Sequence, residues 1–274
     1  MKILIAVDME GISGVVNGDQ VTPGHSEYAR FRRIMTEDVN AAIRGAFEAG
    51  AQEILVSDGH SAGYNLMIEH LDARARLNAG NKSPFAMVAG IDQEVDGAFF
   101  VGYHACSGSR HAVLDHTWSS TSVANLWLNG TLVGETGLNA AVCGHFGVPV
   151  LLVTGDQTVC GEAKALLGNI EFAVVKQATG RLSANCLPPA LAQDKICEAA
   201  ARAVQRLNTK SAPQPYIVEP PVEVRVEFLM SHQADQAQRI PGSHRVDGRT
   251  LALEAQDMPS AYQGFQALVA MAKS

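Results

Sequence analysis

Six side chains in the first half of the sequence have the types and spacing to build a metal centre: Asp8, Glu10, His60, His104, Glu135 and His116. The apolar run Ile3 to Val7 stops abruptly at Asp8-Met9-Glu10-Gly11. While the backbone stays extended, positions two apart share a face, so Asp8 and Glu10 can aim at one point, and Gly11 then lets the chain turn away. Two carboxylates held that close repel unless a cation sits between them, and a divalent metal is the obvious one. A second run ends in Ser57-Asp58-Gly59-His60, a third in Tyr103-His104, and Thr131-Leu-Val-Gly134 leads straight to Glu135. Each residue alone has a bland alternative. Asp8 and Glu10 suit a solvated loop, His60 and His104 a hydrogen-bonded surface, and Glu135 the positive end of a helix dipole. A shared metal accounts for all five at once, with Asp58 in reserve.

Mixed carboxylate and imidazole donors suit zinc or another borderline first-row ion better than calcium or magnesium, which prefer oxygen alone. Three carboxylates and two imidazoles exceed what one catalytic zinc usually takes. They fit two ions about 3.5–4 Å apart, with one carboxylate bridging. Asp8, at the centre of the expected sheet, is the natural bridge. The polar stretch 105–120 then returns an imidazole after an apolar pair, in Val113-Leu-Asp-His116. His116 reads either as an acid/base or nucleophilic group beside the metals or as a loop histidine. His111 lies in the same loop. His25, His70, His145, His232 and His244 lack such company and read as structural or surface residues. Cys106 has no identified base partner and ranks low as a nucleophile. The glycines form neither a Walker loop nor a G-x-G-x-x-G turn, so no phosphate cradle is expected.

The elements that must position these groups read as an α/β fold. Strands are expected at Ile3–Val7, Glu53–Asp58, Gly97–Tyr103, Thr131–Gly134, Val150–Thr154 and Phe172–Lys176. Helical periods cover about Ser26–Ala49, Glu135–Phe146, Gly161–Leu167 and Pro188–Leu207. In such folds functional groups gather at the carboxyl ends of the strands, which is where these candidates fall. Residues 211–221 hold four prolines and no helical period, which marks a linker. Beyond it, Val222–Phe228 alternates strictly, Thr250–Glu254 is similar, and a closing helix spans about Pro259–Ala272. The expectation is an open, mostly parallel sheet with flanking helices over 1–210, and a smaller α+β portion over 211–274.

Composition narrows the partners. A net charge of −7 with no basic run argues against nucleic acid. No apolar stretch approaches the length of a membrane span. The chain enters a strand after one lysine, with no signal-peptide pattern, which points to the cytoplasm. Five scattered cysteines, none in C-x-x-C spacing, fit neither a disulfide framework nor a zinc knuckle.

The chain resembles the zinc-dependent D-aminopeptidases of the DppA type. The resemblance rests on Val7-Asp-Met-Glu-Gly-Ile-Ser-Gly14, Ser57-Asp-Gly-His-Ser61, Gly102-Tyr-His104 and Val133-Gly-Glu-Thr-Gly-Leu-Asn-Ala140. It continues through Pro149–Asp156, Val175-Lys-Gln177, Ala255-Gln-Asp-Met258 and Ala261-Tyr262, and so covers the whole length. It implies two zinc ions per chain, bridged by Asp8 and completed by Glu10, His60, His104 and Glu135, with His116 as the nucleophile. It also implies subunits stacked in homo-oligomeric rings and short peptide substrates with an N-terminal D-residue such as D-Ala. The chain departs from the pattern between His104 and His116, where it carries one extra residue and the second histidine, His111. The main expectation is therefore a dinuclear zinc aminopeptidase. A dinuclear amidohydrolase or phosphoesterase acting on a non-peptide substrate, and a non-catalytic metal- or peptide-binding protein, are the alternatives.

Overall fold

The opening apolar run forms β1 (Lys2–Val7), an interior strand of a seven-stranded sheet. The computed structural model describes residues 1–80 and 84–273. Parallel to β1 run β2 (Glu53–Asp58), β3 (Ala75–Asn78), β4 (Gly97–Val101), β7 (Val150–Asp156) and β8 (Glu171–Gly180). The antiparallel β9 (Ser183–Cys186) closes one edge, and the strand order is β3-β2-β1-β4-β7-β8-β9. The chain builds outward from β1 through β2 and β3, then returns to the other side of β1 with β4. The crevice where strand order reverses therefore lies between β1 and β4, the place where open α/β sheets hold their ligands.

Both faces of this sheet are covered, which is why β1 is apolar at successive positions rather than alternating. Ile3, Ile5 and Val7 pack against α1 (Tyr28–Glu48) and α4 (Pro189–Asn208), through residues such as Met35, Val39, Ile196 and Val204. Leu4 and Ala6 face the opposite core, shared with α2 (Glu135–His145), α3 (Gln157–Leu167) and α6 (Met258–Ala272).

A second, antiparallel sheet has the order β11-β12-β10-β5-β6. It comprises β5 (Val123–Leu128), β6 (Thr131–Leu132), β10 (Val222–Phe228), β11 (Ser243–Arg245) and β12 (Thr250–Ala255), with the short helix α5 (Ser231–Ala237) between β10 and β11. Along β10, Val222, Val224, Val226 and Phe228 are buried and the residues between them half-buried. This sheet draws strands from both sides of the proline-rich stretch 211–221, because β5 pairs with β10. The Thr131 strand thus belongs to the antiparallel sheet and not to the parallel one, where the sequence reading put it. Among the described residues no helix is long and apolar enough to cross a membrane.

Candidate metal centre

The loop after β1 is pinned to the loop after β4. Asp8 N–H donates to Val101 O (2.9 Å) and Gly11 N–H to Gly102 O (2.8 Å). Gly11 serves here through close approach: a Cβ at this position would lie 1.9 Å from the Tyr103 carbonyl oxygen. Gly102 adopts φ +74, and a Cβ there would lie 2.3 Å from Asp8 O. The two glycines let the ends of β1 and β4 touch, and that contact brings Asp8 and His104 together.

Asp8 is buried, and its two carboxylate oxygens face different partners. Oδ1 lies 3.1 Å from His60 Nδ1, which is itself 3.1 Å from Glu10 Oε2. Oδ2 lies 3.2 Å from His104 Nε2, which is 3.2 Å from Glu135 Oε1. His60 follows β2 and His104 follows β4, as their strand ends require. Glu135 arrives differently, on the first turn of α2 as the chain leaves the antiparallel sheet. Its Oε1 also accepts the Trp118 N–H at 2.7 Å. His116 completes the cluster, with Nε2 3.6 Å from Glu135 Oε1 and its ring stacked on His104 at 4.0 Å between centroids. The loop delivering it is strained, with His111, Leu114 and Trp118 all at positive φ, a cost that tends to collect at functional sites.

The other candidates lie elsewhere. The His111 side chain is exposed, while its carbonyl accepts from Gln157 Nε2 and Thr158 Oγ1. Asp58 accepts the backbone N–H groups of Asn65 and Leu66, which orders the loop after β2. Cys106 is tied to Glu162 through both its N–H and its thiol, and burial raises the thiol pKa.

The donor chemistry fits a metal. Each imidazole has one nitrogen against a backbone carbonyl: His60 Nε2 to Val21 O (2.9 Å), His104 Nδ1 to Ala105 O (3.0 Å) and His116 Nδ1 to Leu114 O (2.8 Å). A carbonyl only accepts, so that nitrogen carries the proton. The opposite nitrogen, Nδ1 of His60 and Nε2 of the other two, is turned toward the carboxylates, as in metal-ligating histidines. Glu10 Oε2 and His104 Nε2 are buried, and although imidazole and carboxylate atoms approach them at 3.1–3.2 Å, neither has a well-directed hydrogen bond among the described residues, a costly arrangement unless a cation serves them. The groups Asp8, Glu10, His104 and His104, His116, Glu135 each converge closely enough to share an ion.

The electrostatics agree. Burial works to raise the Asp8 carboxyl pKa, yet contacts with His104 and His60 outweigh it and hold the carboxyl well below its usual range. Burial works to lower the pKa of His60 and His104, yet Glu10 with Asp8, and Glu135 with Asp8, hold the imidazoles well above theirs. The carboxylates thus create a strong demand for positive charge at this point.

A cavity of about 790 Å³ opens over the cluster. Its walls include Met87, Leu114 and Trp118 together with Ser119, Thr121, Arg181, Gln266 and Lys273. Sequence reasoning did not find these wall residues, since they come from loops, a short 3-10 turn at Ala86–Val88 and the second half of α6 with its cap.

Comparison with known proteins follows the same line. A family model described as D-aminopeptidase matches residues 1–267. A D-aminopeptidase of Bacillus subtilis (strain 168) is 40% identical over 273 residues, covering 99% of this chain and 98% of the relative. A solved structure, described as "Zn-dependent D-aminopeptidase DppA from Bacillus subtilis, a self-compartmentalizing protease", aligns with a TM-score of 0.95 at 39% identity. That alignment covers 100% of this chain and 98% of the other.

Proposed function

The chain belongs to the D-aminopeptidase family, and from that premise we propose that it is a zinc aminopeptidase removing a D-configured N-terminal residue, such as D-Ala, from short peptides or amides. One observation carries this reading: Asp8 offers one carboxylate oxygen to the His60–Glu10 pair and the other to the His104–Glu135 pair. A carboxylate so placed suits a bridge between two ions. Glu10 and His60 would hold one zinc, and His104 and Glu135 the other. Zinc bound there would polarise the scissile carbonyl and make water a usable nucleophile near neutral pH.

The remaining work falls to the chain's own side chains. Hydrolysis breaks the amide C–N bond, adds oxygen to the carbonyl carbon and delivers a proton to the departing amine. His116 is suited to the proton transfers. Its Nδ1–H is engaged by Leu114 O, so Nε2 keeps a lone pair on the cavity side, and the stack on His104 fixes the ring plane. Direct attack by Nε2 would use the same lone pair. Met87, Leu114 and Trp118 give the substrate side chain an apolar wall, while Lys273 suits the free carboxylate of a short peptide; Arg181, on the same wall, is already paired with Asp115. The volume matches a small ligand rather than a folded chain.

The self-compartmentalizing assembly named for the Bacillus subtilis structure supports a homo-oligomeric arrangement here, which light scattering on a sizing column would test. The activity is tested with paired D- and L-alanine amides. A higher kcat/KM for the D-amide is expected. Equal or reversed ratios would remove the stereochemical part of the reading, and a zinc-loaded protein that cleaves neither would overturn the activity.

A further inference from the structure

One buried ammonium holds the turn that carries Glu10. Lys176, in the middle of β8, is 1% exposed. Its Nζ donates to the carbonyls of Glu10 (2.6 Å), Ile12 (2.9 Å) and Val15 (2.8 Å). An ammonium has three donors, so these acceptors use all of them. The carboxylates of Asp156, Asp38 and Glu10 act on this charge from farther off, while its direct partners are backbone carbonyls. Burying an ammonium with no carboxylate in direct contact is expensive even where Asp156, Asp38 and Glu10 lie farther off, and an apolar side chain would fill the same space more cheaply if packing were the only demand. What no apolar side chain can do is gather three carbonyls of one short turn onto a single point.

The turn so gathered leaves β1 just after Asp8. Asp8 itself is fixed by the sheet, through its N–H to Val101 O. His104 and Glu135 come from β4 and α2, and none of the Lys176 hydrogen bonds reaches either segment. Glu10 lies outside β1, between the Asp8 and Gly11 N–H bonds to the β4 end, which leave its own carbonyl free; that carbonyl is the nearest of the three to Nζ, and its carboxylate must still meet His60 Nδ1 at 3.1 Å. We propose that Lys176 is a positioning residue of the metal centre, which fixes the backbone presenting Glu10 and so sets the Glu10–His60 half of the centre while leaving the His104–Glu135 half alone. This rests on the two-zinc reading above.

The test is zinc content and affinity, by mass spectrometry and chelator competition, on full-length wild type and Lys176→Met reconstituted from the chelated state. Wild type binding fewer than two zinc ions per chain defeats the metal reading itself, independently of Lys176. Given two in wild type, Lys176→Met should keep one ion at wild-type affinity and hold the other about 10-fold or more weakly, with kcat falling more than KM changes. Both ions at wild-type affinity, or both weakened alike, overturns the proposal. If Lys176→Met does not fold, Lys176→Gln, whose amide offers two donors, is read in its place. One ion weakened supports the positioning role, and two at wild-type affinity overturn it. If neither variant folds, Lys176 is a folding element and the proposal fails.

Discussion

The imidazoles of His104 and His116 lie stacked, 4.0 Å between ring centroids and 12° from parallel. Each ring is held from behind by a backbone carbonyl, Ala105 O for His104 and Leu114 O for His116. Two rings in van der Waals contact, both with Nε2 facing Glu135 Oε1, occupy different depths: His104 is buried, while the His116 side chain keeps 18% exposure to the cavity. The deeper ring is the better placed to be a permanent ligand, and the shallower one to meet substrate.

His116→Ala should therefore lower kcat about 10²–10⁴-fold while zinc content stays at the wild-type value. His111→Ala, whose side chain is exposed, should leave kcat within a factor of about two, since a surface side chain contributes little. Zinc lost together with activity in His116→Ala would make this imidazole a ligand. Near-normal turnover would remove it from the chemistry.

Asp8→Asn keeps the size of the side chain and removes the charge shared by both halves of the cluster. The expected outcome is loss of at least one zinc ion per chain and of activity, because an amide is a poor bridge between two cations. A purified variant with two ions and normal turnover would refute the bridging role.

Gly11→Ala probes the contact between the ends of β1 and β4. The added methyl carbon would lie 1.9 Å from the Tyr103 carbonyl oxygen and 2.5 Å from Gly102 C. Both obstacles are backbone, so relief requires parting the strands that bring Asp8 to His104. A destabilisation of about 3 kcal/mol or more is expected, with zinc affinity falling in proportion. Urea unfolding with zinc titration measures both, and a variant of wild-type stability would show that the two loops are not in contact.

How much of this could be read from the sequence differs between the two sheets. β3, whose Ala75-Arg-Leu-Asn78 holds no apolar run, was missed, but β1, β2, β4, β7 and β8 were legible because burial on both faces leaves unbroken apolar runs, and those of β1, β2 and β4 end at the site. β5 was not. Its pairing with β10 shifts register at Glu227/Phe228, which breaks the two-residue alternation, and Asn125 and Trp127 sit at half-buried positions. With β5 unseen, the Thr131 strand had no antiparallel partner and was assigned to the wrong sheet. Glu135 still falls beside His104, because its place at the start of α2 does not depend on which sheet precedes it. The chain does turn at Gly11, but the closer demand was not legible: what a glycine's neighbours across the sheet require is not written in its local sequence. Lys176 shows the same thing, since its three acceptors lie far away in the chain.

Asp38 offers a pH test apart from the metal ligands. It is buried in α1, where Oδ2 accepts both the N–H and the hydroxyl of Ser13, at 2.9 and 2.8 Å. Burial raises its pKa from 3.8 to about 6, in spite of the opposing Ser13 hydrogen bonds. With the folded pKa above the unfolded one, the folded state binds the extra proton between these values, and stability falls as pH rises through that window. Below 3.8 the group costs nothing; above about 6 the cost is complete. A shift of that size corresponds to roughly 3 kcal/mol at pH 8 and roughly half as much at pH 5. Asp38→Asn keeps an oxygen for Ser13 and cannot ionise. Its stability relative to wild type, measured by urea unfolding of chelated protein, should therefore be greater at pH 8 than at pH 5 by roughly 1–2 kcal/mol. A difference between the two proteins that does not change with pH would mean that Asp38 ionises in the fold as freely as in the unfolded chain.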